Sequence, residues 1–367
     1  MRILADRNMA GVADVFSSLG EVELFDGRAL QAEQVVGADI LLVRSVTSVD
    51  LELLGDARPA FVGTATSGFD HVNRDWLAEQ DIPFAHAPGS NADSVVDYVL
   101  SVLCRYPEQL QQLFAGEPLG IIGYGNIGKR LHQRLERLGI RCLAYDPWLS
   151  DLPALSTLDA VLACPVLCLH AALTREAPWP SVHMLDADVL STVPRDALLV
   201  NAGRGELLAT EALLALNAQR PDVRLVLDVW EREPHPNPDL LSVCDIGTAH
   251  IAGYSYDGKL RATRMLYEAA CLALGQEPDP AAGKLPPVDL EAPVDLSADA
   301  LIDYLVLQVY DVQEDDVALR AAMPDGFDDL RKQYRKRREL SSLRVTNAAV
   351  LDPAALATCG ALGVQTC

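Results

Sequence analysis

At 367 residues the chain is long for a single core, and two or three domains are expected. Half of the residues are hydrophobic and few are aromatic, as in a soluble α/β protein, while the formal net charge of −22 argues against a nucleic-acid backbone or an anionic membrane surface as partner. Any anionic ligand must therefore be held by a local cluster of donors. The eight cysteines, at 104, 142, 164, 168, 244, 271, 359 and 367, contain no C-x-x-C and no histidine partner at metal spacing. Several sit in apolar runs, so they read as small buried side chains in a reducing cytoplasm, and no metal is expected. The opening MRILAD enters a strand directly, without a basic-plus-apolar leader. The longest apolar stretch, Val161 to Leu173, is too short to span a membrane and is interrupted by Pro165 and His170.

In chain order, Arg2 to Asp6, Val22 to Phe25, Asp39 to Arg44, Phe61 to Ala65 and Ile82 to Ala87 read as short apolar strands with helical patterns between several of them. That alternation predicts a parallel sheet. LLVRSVT places Arg44, Ser45 and Thr47 just past one strand, and GTATSGFDH places Thr64, Thr66, Gly68 and Asp70 just past the next. Taken singly these are turn or cap residues. Two neighbouring strands ending in hydroxyls, with one arginine, favour an anion site at the carboxyl ends of the strands. The loop Arg44-Ser45-Val46 is accordingly expected to help hold the anionic group of a small ligand. A helix from about Ala92 to Tyr106 follows, capped by Ser90 or Asn91, and bridges to the next unit.

The stretch LGIIGYGNIGKRLHQRLERLGIRCLAYD then sets out a strand, the glycines Gly123, Gly125 and Gly128 in G-x-G-x-x-G, an amphipathic helix from Lys129 to Leu138, a second strand from Cys142 to Tyr145, and Asp146. The first glycine permits the tight turn, the second a close approach of a pyrophosphate, and the third close helix–strand packing. The helix start offers free N–H groups to phosphates. An acid about 20 residues further on binds the ribose hydroxyls of NAD and repels the 2′-phosphate of NADP. NAD is therefore the expected cofactor. Further strands are expected at Val166 to His170, Ala197 to Asn201, Arg224 to Trp230 and Asp245 to Ile251, with a helix from Thr210 to Asn217.

Three of these later strand ends carry Arg204 in NAGRGE, Asp228 and Glu233 in DVWEREP, and His250, Gly253 and Tyr254 in GTAHIAGYS. Singly, Arg204 reads as a surface arginine, Glu233 as a solvated loop residue and His250 as a core histidine. Together they are what oxidation of a 2-hydroxy acid needs. A neutral imidazole takes the hydroxyl proton as hydride leaves the same carbon. A carboxylate behind it stabilises the imidazolium, and a planar, permanently charged guanidinium holds the substrate carboxylate.

MRILAD, LLVRSVT, FVGTAT-GFDH, APGSNA-SVVDYV, GYGNIGKRL, NAGRGE, LDVWEREP and DIGTAHIAGY stand in order across about Met1 to Leu274, and the chain is similar to the D-isomer-specific 2-hydroxyacid dehydrogenase family. The resemblance implies an α/β fold of two doubly wound parallel-sheet domains, Rossmann- or flavodoxin-like. It implies Arg204, Glu233 and His250 as catalytic residues. It gives Asp146, Ala202, Asp228, Gly253 and the backbone of Asn126 and Ile127 to NAD, and Ser45, Thr66 and Tyr254 to the substrate. Two departures stand out: Ala171 replaces a threonine usual after the histidine of LHAAL, and Asp97 stands where glutamate is commoner.

Gln276 to Leu296, with five prolines, reads as a linker. A helix from Ser297 to Val309 follows, then acidic YDVQEDD, then the basic run Arg331 to Arg338, which reads as a solvated helix face. SSLRVTNAAVLD reads as a strand. This tail resembles an α+β dimerisation domain carried by one branch of the family, which implies a homodimer. The expected division is 1–93 with 257–280 for substrate, 94–256 for NAD and 281–367 for dimerisation. Other acids of the family remain open as substrates, as does a module that only senses NAD.

Overall fold

The apolar runs form strands of two all-parallel sheets, and their continuous hydrophobicity reflects burial on both faces. The computed structural model describes residues 1–367, in two units: Met1–Asn91 with Ser255–Pro286, and Ala92–Tyr254 with Pro287–Cys367.

In the first unit β1 (Arg2–Asp6), β2 (Glu21–Phe25), β3 (Ile40–Val43), β4 (Phe61–Thr64) and β5 (Phe84–His86) lie in the order β2-β1-β3-β4-β5. This is the doubly wound, flavodoxin-like order. Ile40, Leu41, Leu42 and Val43 are all fully buried, and each such side chain contributes roughly 1.5–3 kcal/mol. The late helix Tyr256–Ala273 returns to this sheet. Ser255 caps it through the N–H of Gly258, and Tyr267 packs edge-on against Phe16 with ring centres 5.5 Å apart.

In the second unit β6 (Leu119–Ile122), β7 (Cys142–Tyr145), β8 (Val166–Leu169), β9 (Leu198–Asn201), β10 (Arg224–Leu227) and β11 (Ile246–Gly247) lie in the order β11-β10-β9-β8-β6-β7. A single parallel bridge, Ala144 to Leu155, extends the β7 edge. Between β6 and β8 the winding reverses, and at such a switch point loops diverge and leave a crevice for ligand. The glycine loop leaves β6 there.

The same unit includes a small parallel sheet, β12 (Val288–Leu290), β13 (Leu343–Val345) and β14 (Gln365–Thr366), in the order β12-β13-β14. Its segment is tied to the helix Ala92–Arg105. Val312 N–H donates to Ser101 Oγ at 2.9 Å, Leu340 N–H to Asp97 Oδ2 at 2.9 Å, and Tyr310 stacks on Tyr98. The shorter acid at 97 thus serves as an internal acceptor. Burial, and next the charge of Glu339, push its carboxyl up to about 7.

Three expectations change. The helix after the glycine loop begins at Asn126, not Lys129, with Gly125 at its N-cap, because Gly128 must sit inside the first turn to pack under the loop. The proline-rich stretch is not only a linker: Val288–Leu290 pairs with Leu343–Val345, a partner too distant in sequence to be read locally. The basic run is not one solvated helix face. Helix Phe327–Lys332 stops early, and Arg337 is 3 % exposed.

Candidate active site

Gly123 has φ +95°, and a Cβ there would stand 2.3 Å from the N of Ala171. The left-handed turn and the neighbouring β8 loop therefore both require glycine. At Gly128 a Cβ would meet the carbonyl oxygen of Gly123 at 2.2 Å. A Cβ at Gly125 would meet nothing within 4 Å, so the loop has open space at its second glycine. The helix Asn126–Arg137 has no side-chain cap, so its first N–H groups are left without a side-chain acceptor from the N-cap. Asp146 accepts the N–H of Tyr124 at 2.9 Å and of Trp148 at 3.1 Å, which fixes its carboxylate beside the glycine turn.

One feature of this corner was not legible as a functional residue. His170, at the end of β8, is 9 % exposed, and both ring nitrogens are buried without a hydrogen-bond partner. Burial pushes its pKa down to about 4, so the ring is neutral near pH 7. An unmet donor and acceptor beside the glycine turn fit a polar ligand group. Glycine loop, open space, acid and orphaned ring together fit a dinucleotide.

Arg204, Glu233 and His250 follow β9, β10 and β11, three adjacent strands. Asn201 pairs with Leu227, and Leu227 with Gly247, so the three loops leave the sheet at one level. The Asn201 side chain shapes the first loop, accepting from Gly203 N–H at 3.1 Å and donating to the Arg204 carbonyl at 3.0 Å. Arg204 is exposed there, its guanidinium donating to the Gly203 carbonyl at 2.7 Å. Ala202 lies buried just before it.

Glu233 and His250 are brought together. Nδ1 of His250 lies 2.7 Å from Glu233 Oε2, and Glu233 Oε1 accepts Trp230 N–H at 3.0 Å. Burial alone would raise Glu233, but the hydrogen bond and charge of His250, with Trp230 N–H and the charge of Arg331, hold it below the usual carboxylate range. An ionised carboxylate only accepts, so Nδ1 carries the proton and Nε2 of the neutral ring is the free base.

The backbone of His250 is left-handed, φ +54°, which costs a non-glycine residue ~1–3 kcal/mol. Asp228 holds it there. Its carbonyl accepts His250 N–H at 2.7 Å, and its carboxylate takes Thr248 Oγ1, Ile251 N–H and Ala252 N–H at 2.6, 2.8 and 3.0 Å. Burial raises the pKa of Asp228 despite these donors and the charge of His250. Gly253 and Tyr254 complete the loop, and Tyr254 Oη accepts from Arg331 at 3.2 Å.

In the first unit, Arg44 immediately follows β3, and Ser45 and Val46 are exposed in the turn after it. Thr47 is not part of an open cluster: it is buried, with Oγ1 donating to the Gly27 carbonyl at 2.8 Å. Thr66 Oγ1 donates to the Gly68 carbonyl at 2.6 Å and lies 2.8 Å from Thr64 Oγ1. Asp70 caps no helix; Asn73 does. No helix is long and apolar enough to cross a membrane.

Asp146 predicts the cofactor preference. Catalytic efficiency should favour NAD over NADP, and Asp146→Ala should cost NAD roughly 10–10²-fold by removing charge-assisted ribose contacts, with little loss on NADP. Steady-state kinetics with both cofactors checks it. A wild-type preference for NADP would end the assignment.

Residues 102–252 match the family model described as D-isomer specific 2-hydroxyacid dehydrogenase, NAD binding domain, and residues 281–363 match a domain of unknown function (DUF3410). The chain is 41 % identical over 370 residues to the erythronate-4-phosphate dehydrogenase of Cellvibrio japonicus, covering 96 % of this chain and 97 % of that one. It is 43 % identical over 354 residues to the enzyme of that name from Edwardsiella ictaluri, covering 94 % of each. Among solved structures, the TT0316 protein of Thermus thermophilus superposes with a TM-score of 0.61 at 25 % identity, over 76 % of this chain and 98 % of that one. An NAD-bound 3-phosphoglycerate dehydrogenase from Entamoeba histolytica shares the fold, with a TM-score of 0.56 at 19 % identity over 75 % and 96 % of the two chains. On identity sustained across nearly its whole length, the chain belongs to the erythronate-4-phosphate dehydrogenase family, a branch of the NAD-dependent D-isomer-specific 2-hydroxyacid dehydrogenases.

Proposed function

We propose that the chain oxidises the 2-hydroxyl of 4-phospho-D-erythronate with NAD, giving (R)-3-hydroxy-2-oxo-4-phosphooxybutanoate, in the cytoplasmic synthesis of pyridoxal 5′-phosphate. The observation that carries this reading is the 41–43 % identity over about 95 % of the chain with enzymes so named. Nε2 of His250 takes the hydroxyl proton. Glu233, bonded to Nδ1, stabilises the imidazolium and keeps the ring oriented. Arg204 pairs with the substrate carboxylate and polarises the forming carbonyl. Bound NAD supplies the hydride acceptor. Gly123, Gly125, Gly128 and the N–H groups of Asn126 and Ile127 would hold its pyrophosphate and Asp146 its ribose, with Ala202, Asp228 and Gly253 also serving the cofactor. Arg44, Ser45, Val46, Thr66 and Tyr254 are the substrate-side residues.

Residues 1–93 with 257–280 serve the substrate and 94–256 the cofactor. Residues 281–367 make a homodimer, for which light scattering should give twice the chain mass; a monomer would refute it. The function is tested by NAD reduction with purified protein, comparing 4-phosphoerythronate, erythronate, 3-phosphoglycerate and lactate. Turnover led by any acid other than the first overturns the substrate assignment, and no turnover of any acid favours a module that only senses NAD.

A further inference from the structure

The loop His250–Tyr254 is gripped from two sides. On one, Asp228 holds the N–H groups of residues 250–252. On the other stands a guanidinium from the C-terminal segment, the part of the chain that matches a domain of unknown function. Arg337 Nη2 donates to the Ala252 carbonyl at 2.7 Å, to the Ser94 carbonyl at 3.0 Å and to Ser94 Oγ; Ser94 Oγ in turn donates to the same Ala252 carbonyl at 2.8 Å. The guanidinium lies 4.1 Å from the ring centre of Tyr310, itself buried. Six residues earlier, Arg331 donates to Tyr254 Oη at 3.2 Å and lies over that ring at 5.7 Å. Two arginines of one short segment thus meet the loop at Ala252 and Tyr254, on either side of Gly253.

Arg337 is a poor choice for stability alone. It is 3 % exposed, and its Nε and Nη1 have no hydrogen-bond partner. A buried guanidinium so incompletely paired is commonly replaced by an apolar side chain without loss. What an apolar side chain cannot supply is a donor directed at the Ala252 carbonyl.

We propose that the C-terminal segment braces the catalytic loop, with Arg337 and Arg331 as positioning residues that keep His250 in its left-handed conformation, in register with Glu233. The inference rests on His250 being the proton-transferring group. It gives this segment a part in catalysis, separate from any part in dimer formation.

The test compares full-length wild type with Arg337→Met and Arg331→Met by amide hydrogen exchange, NADH binding and steady-state kinetics. In Arg337→Met, exchange over residues 249–254 should rise ~10-fold or more through local opening, while residues 119–130 keep the wild-type rate. NADH affinity should be unchanged, and kcat should fall ~10²-fold with a much smaller change in KM, since misplacing a reacting group by about 1 Å has that effect. Arg331→Met should give a smaller acceleration confined to residues 253–254. Arg337→Lys, which can still donate to Ala252, should recover part of the kcat. Wild-type exchange over 249–254 in both methionine variants overturns the brace, as does acceleration spread evenly over the chain. Should Arg337→Met fail to fold, Arg337→Lys and Arg331→Met carry the same comparison, and wild-type exchange over 249–254 in both overturns it equally. Exchange does not depend on the acid oxidised, so failure of wild type on 4-phosphoerythronate refutes the substrate and leaves the brace to be decided on exchange alone.

Discussion

Replacing His250 by alanine is expected to lower kcat by ~10²–10⁴-fold, the usual contribution of a positioned general base, with NADH binding intact. The argument is geometric. Nδ1 is committed to Glu233 at 2.7 Å, so the ring's single basic site is Nε2. The cofactor loop hangs from β6, on the other side of the switch point, and does not need the imidazole. Glu233→Gln separates orientation from charge. The amide can still accept from Nδ1, but it carries no charge to stabilise the imidazolium that forms as Nε2 takes the hydroxyl proton. kcat for Glu233→Gln should therefore fall, by less than for His250→Ala, with NADH binding kept. Unchanged turnover in either variant would show that these loops have been given the wrong roles.

The second large effect concerns the phosphate. Unphosphorylated erythronate should be oxidised on the order of 10²–10⁴-fold less efficiently than its 4-phosphate, through the loss of about two charge-assisted hydrogen bonds at ~1.5–3 kcal/mol each. A chain of formal charge −22 has no diffuse attraction for a dianion, so the discrimination must come from a few local donors. Arg44, half-buried just after β3, with the exposed Ser45 and Val46 turn, is the cluster assigned here. Arg44→Ala should narrow the gap by hurting the phosphorylated substrate selectively, raising its KM and leaving erythronate nearly unaffected. Equal efficiency on the two acids, or an Arg44→Ala loss shared by both, would return this protein to the general 2-hydroxyacid dehydrogenases.

The sequence by itself determined the parallel sheets, and it singled out the candidate site residues. Strands such as Ile40–Val43 and Leu119–Ile122 are continuous apolar runs because they are buried on both faces. Gly123 and Gly128 are legible because a tight turn and a close helix contact each demand glycine at one spacing, and Asp146 stands where an acid is expected in such a pattern. Arg204, Glu233 and His250 could be grouped because each lies at or just past the end of a predicted strand, and parallel strands bring their carboxyl ends to one edge. What the tertiary structure alone decided are contacts between residues far apart in the chain, for which local periodicity carries no signal. The hydrogen bond between His250 and Glu233 turns two ambiguous loop residues into a dyad. Burial leaves His170 neutral with both nitrogens unmet, although in the sequence it only interrupts an apolar run. Most of all, Arg337 sits in a basic run that reads as solvated, yet it reaches Ala252 and Ser94 across intervals of 85 and 243 residues. Its burial follows from packing Tyr310 and the C-terminal segment against the helix Ala92–Arg105, and a side chain's charge says nothing about whether the surface it meets will be water or protein.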